Sequence, residues 1–129
     1  MNLNQISIPV VDVERSIDFY EKLGLTLIVK TLPHYARFEC PDGHSTVSLH
    51  EVYEVAKGNG VMIYFEVEDL DACIKRLADN GIILDQPPKF QPWLWREAKL
   101  RDLDNNQIVL YYAGENRRFP PWRVADRET

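Results

Sequence analysis

Apolar and polar positions alternate at the start of the chain. Ile6 and Ile8 lie between Gln5 and Ser7, which is the period of a strand buried on one face. Beyond Asp12 the period lengthens to that of a helix, with Val13, Ile17 and Tyr20 on one stripe. Asp12 is placed to cap it and Gly24 to stop it in the left-handed conformation. Three strand-like runs follow, at 25–31, 35–40 and 45–53, with Pro41-Asp42-Gly43 as a tight turn between the last two. The order then repeats. Ile63 to Leu70 answers Ile6 to Val13 at one constant offset, and the same offset carries Ile17 to Ile74, Gly24 to Gly81 and Leu25 to Ile82. In the second copy Asp69 caps, Leu70, Ile74 and Leu77 form the stripe, and Asn80-Gly81 ends it. Its strands are predicted at 82–84, 93–101 and 107–112, with 102–106 as the turn.

These patterns predict a single α+β domain of two tandem βαβββ modules. Their strands form a curved mixed sheet around a central trough, with the helices on the outer face. Module one spans 1–56, a linker 57–60, module two 61–113 and an extended C-terminal strap 114–129. Alternation divides the side chains. Ile6, Ile8, Val47, Leu49, Ile63, Phe65, Ile108 and Leu110 should pack under the helices. Gln5, Ser7, Ser48, His50, Met62, Tyr64, Val109 and Tyr111 should line the trough. On the run at 93–101, Leu94, Ala98 and Leu100 are placed outward, turning Trp93, Trp95 and Glu97 inward and leaving Arg96 on the helix side. The alternation leaves the facing of Arg37 open.

Composition narrows the function classes. Hydrophobic residues make up 45% and charged residues 27%, and acids and bases are interleaved at a net charge of −5. No basic stripe suggests nucleic acid, and no apolar run approaches the roughly 20 residues of a membrane span. Met1 to Gln5 lacks the features of a signal peptide. Cys40 and Cys73 have no metal or redox spacing and read as small apolar filler, so a cytoplasmic protein is expected.

The opening from Gln5 to Gly24, with Asp102 to Leu110, resembles the vicinal oxygen chelate superfamily of glyoxalase I, extradiol dioxygenases and bleomycin- and fosfomycin-resistance proteins. The resemblance covers nearly the whole chain apart from its last dozen residues. Metal-dependent members carry four inward ligands, and those positions fall here on Gln5, Ser48, Met62 and Val109. Three protein N, O or S donors are the usual minimum for a catalytic ion, and this set offers one plausible donor, Gln5. No metal or other cofactor is therefore expected. Members of this size commonly form two-fold dimers, so a homodimer is expected by resemblance.

Three functions compete. Trp93, Trp95, Tyr64 and Tyr111, with polar groups at Gln5, His50 and Glu97, suit a small, partly aromatic ligand bound without a metal. A lyase or isomerase of glyoxalase type would use His50 and Glu97 as an acid/base pair or at a displaced metal site. The plainer role for His50, at a strand end, is to hydrogen-bond backbone or water. In a non-catalytic interaction module the segment 115–123, with Trp122 as anchor, would carry the contact.

Overall fold

A computed structural model of the chain describes residues 1–56 and 61–124. The expected linker at 57–60 and the end of the strap at 125–129 lie outside the described residues. The first half contains β1 (Gln5–Val10), α1 (Val13–Leu23), β2 (Thr26–Thr31), β3 (Tyr35–Glu39) and β4 (Thr46–Glu51). The second contains β5 (Met62–Glu66), α2 (Leu70–Asp79), β6 (Gln86–Phe90), β7 (Arg96–Arg101) and β8 (Gln107–Tyr112). A 3-10 helix follows at Gly114–Arg117. The strands form two four-stranded mixed sheets of like order, β1-β4-β3-β2 and β5-β8-β7-β6. In each, the first and last strands of the module pair in parallel and the other neighbours antiparallel. The α+β architecture of tandem βαβββ modules is therefore the one the repeat implied.

Local chemistry sets the helix ends where the sequence placed them. The Asp12 and Asp69 carboxylates accept the backbone N–H groups of Arg15 and Ala72, satisfying donors that a helix N-terminus otherwise leaves free. Gly24 closes α1 at φ 119°, where a side chain would be strained, and a Cβ there would lie 3.1 Å from the Arg76 guanidinium.

The two halves share one core built on their helix-bearing faces. It joins Ile8, Val10, Ile17, Tyr20, Phe38 and Leu49 of the first half to Ile63, Leu70, Leu77, Leu100, Ile108 and Leu110 of the second. Full burial of such side chains stabilises by roughly 1.5–3 kcal/mol each before entropy is counted. Polar bonds stitch the same seam. The Tyr20 hydroxyl donates to Asp102 Oδ2 at 2.6 Å, the Asn106 amide to the Pro9 carbonyl at 3.0 Å, and the Val11 N–H to Asp104 Oδ1 at 3.2 Å. Burial and then the Asp102 carboxylate push the Tyr20 phenol far above its ordinary range.

Three predicted elements are corrected. The strand at 82–84 is a connecting segment, with Ile82 and Leu84 against the core and Ile83 exposed, and the strand itself is β6. Its Pro87 and Pro88 are tolerated because an edge strand leaves part of its backbone unpaired. The run at 93–101 starts only at Arg96. Gln91 to Trp95 forms a hairpin turn, closed by the Gln91 N–H donating to the Trp95 carbonyl at 2.8 Å. Leu94 sits in that turn at φ 69°, 46% exposed, rather than packing outward into the core. The segment after Ala113 winds into the 3-10 helix and a further turn instead of running extended, because Glu66 Oε2 accepts the N–H groups of both Ala113 and Gly114, at 2.8 and 3.1 Å.

Candidate functional site

The faces of the sheets opposite the helices carry the predicted site residues, and the structure sorts them into two groups. Cross-strand register places Ser7, Ser48, His50, Tyr35 and Arg37 together on the first sheet. Tyr64, Glu97, Val109 and Tyr111 lie together on the second.

The second sheet bears a cavity of about 550 Å³. Its floor is aromatic. Trp95 stacks on Tyr111 with ring centroids 4.7 Å apart and planes 20° from parallel. Tyr64 stands edge-on to both, 5.6 Å from Tyr111 and 6.0 Å from Trp95. Trp93, in the hairpin turn, forms another wall and donates its indole N–H to Glu97 Oε2 at 3.0 Å. Arg117, Pro120 and Trp122 of the C-terminal segment close the far side. That segment is held down at three points. Glu66 caps the start of its 3-10 helix, the Trp95 indole N–H donates to the Asn116 carbonyl at 3.2 Å, and Arg117 approaches Glu66 at 3.9 Å.

Register explains the convergence. Tyr64 pairs with Val109 and Glu97 with Tyr111, so one patch of the sheet collects side chains from β5, β7 and β8. Val109 and Tyr111 are buried there beneath Trp95 and Met62. Burial and then the Glu97 charge raise the Tyr64 phenol above its ordinary value. For Tyr111 the causes are burial and then Glu66, with Arg117 opposing. Both phenols therefore stay protonated at neutral pH and can donate hydrogen bonds.

Met62 and Val109 line a neighbouring hollow of about 310 Å³, beside Lys99 and the ion pair of Arg101 with Asp85 at 2.7 Å. Arg96 lies on the helix side, where its guanidinium meets Asp71 of α2 at 2.8 Å.

The first sheet's face is polar. His50 Nδ1 and Ser7 Oγ share a hydrogen bond of 2.7 Å, and the Gln5 amide oxygen accepts from Thr46 Oγ1 at 2.8 Å. Arg37 also faces this side, its Nε donating to the Tyr35 hydroxyl at 2.9 Å. Burial pushes the Tyr35 phenol up, but the hydrogen bond and charge of Arg37 outweigh it and leave the phenol below its ordinary value. Ser48 Oγ also contributes to that lowering, and among the described residues this buried hydroxyl has no hydrogen-bond partner of its own. His50 and Glu97 are not brought together: one bonds Ser7 on the first sheet, and the other bonds Trp93 in the second sheet's cavity.

The four positions that the resemblance aligns with metal ligands are poor in donors. Gln5 spends its amide oxygen on Thr46, Ser48 is a neutral hydroxyl, Met62 a soft thioether and Val109 no donor. Among the described residues no three His, Cys, Asp or Glu side chains cluster as a metal site. This donor set does not fit a divalent ion.

Some of the cavity was missed from sequence. Asn116, Arg117 and Pro120 lie in a segment with no alternation to give their facing. The role of Glu66 was hidden because it lies at the end of β5, beyond the last residues that alternation could place.

The same fold recurs in proteins of known structure. A glyoxalase/bleomycin resistance protein/dioxygenase from Nocardioides superposes with a TM-score of 0.77 at 23% identity, covering 97% of this chain and 90% of that one. A bleomycin-binding protein complexed with bleomycin superposes with a TM-score of 0.72 at 16% identity, covering 87% and 98%. In sequence, the chain is 30% identical over 135 residues to a trivalent organoarsenical cleaving enzyme of Bacillus sp. (strain MD1), across 94% of this chain and 81% of the enzyme. Residues 2–110 match the model of the Glyoxalase/Bleomycin resistance protein/Dioxygenase superfamily, and the chain belongs to that family.

Proposed function

We propose that this protein binds a small organic ligand with a flat, partly aromatic body in the cavity of the second sheet, without a metal ion. One observation carries the reading: Tyr64, Trp93, Trp95, Tyr111 and Trp122 converge on a single hollow of about 550 Å³. That volume suits a drug-sized molecule, and flat rings supply stacking and edge contacts at low entropic cost. The complex of a protein of this fold with bleomycin supports capture of a small molecule. The first sheet's polar face, with Gln5, Ser7, Ser48 and His50, supplies orienting groups if a second copy brings it over the cavity. The reading accordingly includes a homodimer, for which light scattering should give twice the 15.0 kDa chain mass. A single-chain mass would remove that part.

All three tryptophans of the chain line this cavity, so tryptophan emission, excited selectively over tyrosine, reports on it. A screen of aromatic drugs, antibiotics and thiol adducts should find saturable quenching that Trp95→Ala abolishes. Quenching by none of them would refute the binding reading. Elemental analysis of protein purified without chelator should show no stoichiometric metal, and a stoichiometric ion would overturn the metal-free part.

A second reading, cleavage of a bound substrate, rests on the identity with the organoarsenical cleaving enzyme. Trivalent arsenic is thiophilic, and Cys40 and Cys73 pack against the core rather than lining the cavity. Release of inorganic arsenic from an aromatic trivalent organoarsenical would establish that reading, whereas the binding reading expects none.

A further inference from the structure

We infer that the cavity selects a cationic ligand, namely a protonated amine or quaternary ammonium group carried on an apolar or aromatic body. The inference rests on the binding reading above and adds the charge of the ligand. Its basis is Glu97, a carboxylate 1% exposed at the floor of an aromatic cage.

Burying a carboxylate is costly unless a charge or several hydrogen bonds compensate it. Among the described residues Glu97 has one hydrogen-bond donor, the neutral Trp93 indole N–H. Among the described residues no ion pair reaches it. The cations nearest in the sheet do not compensate it. Lys89 lies across the register from Glu97 and Lys99 two residues along its strand, yet neither lines the cavity. Arg117 does line it, but that guanidinium is directed to Glu66. The Glu97 charge is felt inside the cavity, because it helps to hold the Tyr64 phenol above its ordinary value.

The rings around this carboxylate are the right kind for a cation. The faces of Trp and Tyr carry negative potential and attract ammonium groups, most strongly where water is excluded. Trp93 is tied to Glu97, so the ring face and the carboxylate are fixed relative to each other and act on the same region of the cavity. Trp95 and Tyr111 already stack on each other, so the remaining ring surface for a ligand is that of Trp93, Trp122 and Tyr64. A neutral aromatic ligand would use this ring surface and leave Glu97 uncompensated. An anionic one would add repulsion. A cation satisfies both features at once.

The test is fluorescence titration of the wild-type protein with benzyltrimethylammonium, benzyl alcohol and phenylacetate, which share a ring and differ in charge. The cation should bind at least about tenfold more tightly than either of the others, as expected for a desolvated cation–π and charge contact. Glu97→Gln should abolish the advantage of the cation over benzyl alcohol when both are titrated into the same variant. Trp93→Phe, which keeps the carboxylate and a ring, should keep the preference for the cation. Equal binding of the three probes, or tighter binding of phenylacetate, would overturn the inference and leave the aromatic-ligand reading standing. Failure of all three probes together with the wider screen would overturn both. Should Glu97→Gln fail to fold, the wild-type comparison still decides.

Discussion

Glu66 is the hinge between the second sheet and the segment that closes its cavity, and replacing it separates the two. One carboxylate oxygen accepts two backbone N–H groups, from Ala113 at 2.8 Å and Gly114 at 3.1 Å, where the chain leaves β8 and turns into the 3-10 helix. Glu66→Ala leaves both donors without that acceptor. Each hydrogen bond to a charged group contributes about 1.5–3 kcal/mol, and the partly open site lets water recover some of it, so a net loss of roughly 1–3 kcal/mol is expected. The loss is local, since the shared core lies on the other side of the sheet. It should raise the opening equilibrium of the closing segment about 5- to 150-fold. Hydrogen exchange at the Ala113 and Gly114 amides should accelerate by that factor, tryptophan emission should shift as Trp122 leaves the cavity, and ligand binding should weaken in parallel. Glu66→Gln keeps an amide oxygen at the same place and should restore most of the protection. Unchanged exchange at these two amides in the alanine variant would refute the assignment of Glu66 as the anchor.

Two further perturbations address the seam between the halves. Tyr20→Phe removes the hydroxyl that donates to Asp102 at 2.6 Å but keeps the ring against Phe19 and Phe38, so it should cost about 1–3 kcal/mol with no cavity contribution. A lower urea midpoint at unchanged m-value would show it, and an unchanged midpoint would contradict the assigned role. Asp104→Asn concerns pH. Burial first, with the like charges of Asp102 and Asp12, outweighs the Val11 N–H and Arg15 and raises the Asp104 carboxyl above its ordinary value. A carboxyl raised in the fold withdraws stability as pH climbs from its unfolded value through the higher folded one. The asparagine does not titrate and keeps an acceptor for Val11, so its melting temperature should gain on wild type as pH rises from about 4, the ordinary carboxylate value, through the higher folded one. Parallel melting curves across that window would sink the argument.

The fold was legible because its determinants are local and repeated. Asp12, Gly24, Asp69 and the helical stripes each state a helix end or a buried face in a few residues. Alternation also placed Tyr64, Val109, Tyr111 and Glu97 on one face. It failed where the chain leaves regular geometry. The hairpin turn at Gln91 to Trp95 carries Leu94 in a left-handed conformation that leucine seldom adopts, so the sequence continued β7 through it. Pro87 and Pro88 hid an edge strand. The cavity's outer wall depends on where Glu66 and the Asn116 carbonyl dock the C-terminal segment, which are long-range bonds with no periodic trace.

The two modules repeat a backbone but not a chemistry, and the contrast bears on the proposed site. Register makes Ser7 of the first half equivalent to Tyr64 of the second, Ser48 to Val109, His50 to Tyr111 and Tyr35 to Glu97. The helix-facing partners of these residues, such as Ile8 with Phe65 and Leu49 with Leu110, are apolar in both halves, because both must join the same core. No such requirement acts on the opposite faces. There one half pairs small hydroxyls with an imidazole and a guanidinium, and the other gathers rings around a buried carboxylate. Packing alone would have allowed both faces to be alike. Rings around a buried carboxylate do little for stability, and the proposed binding of a ligand would account for their presence in one half alone.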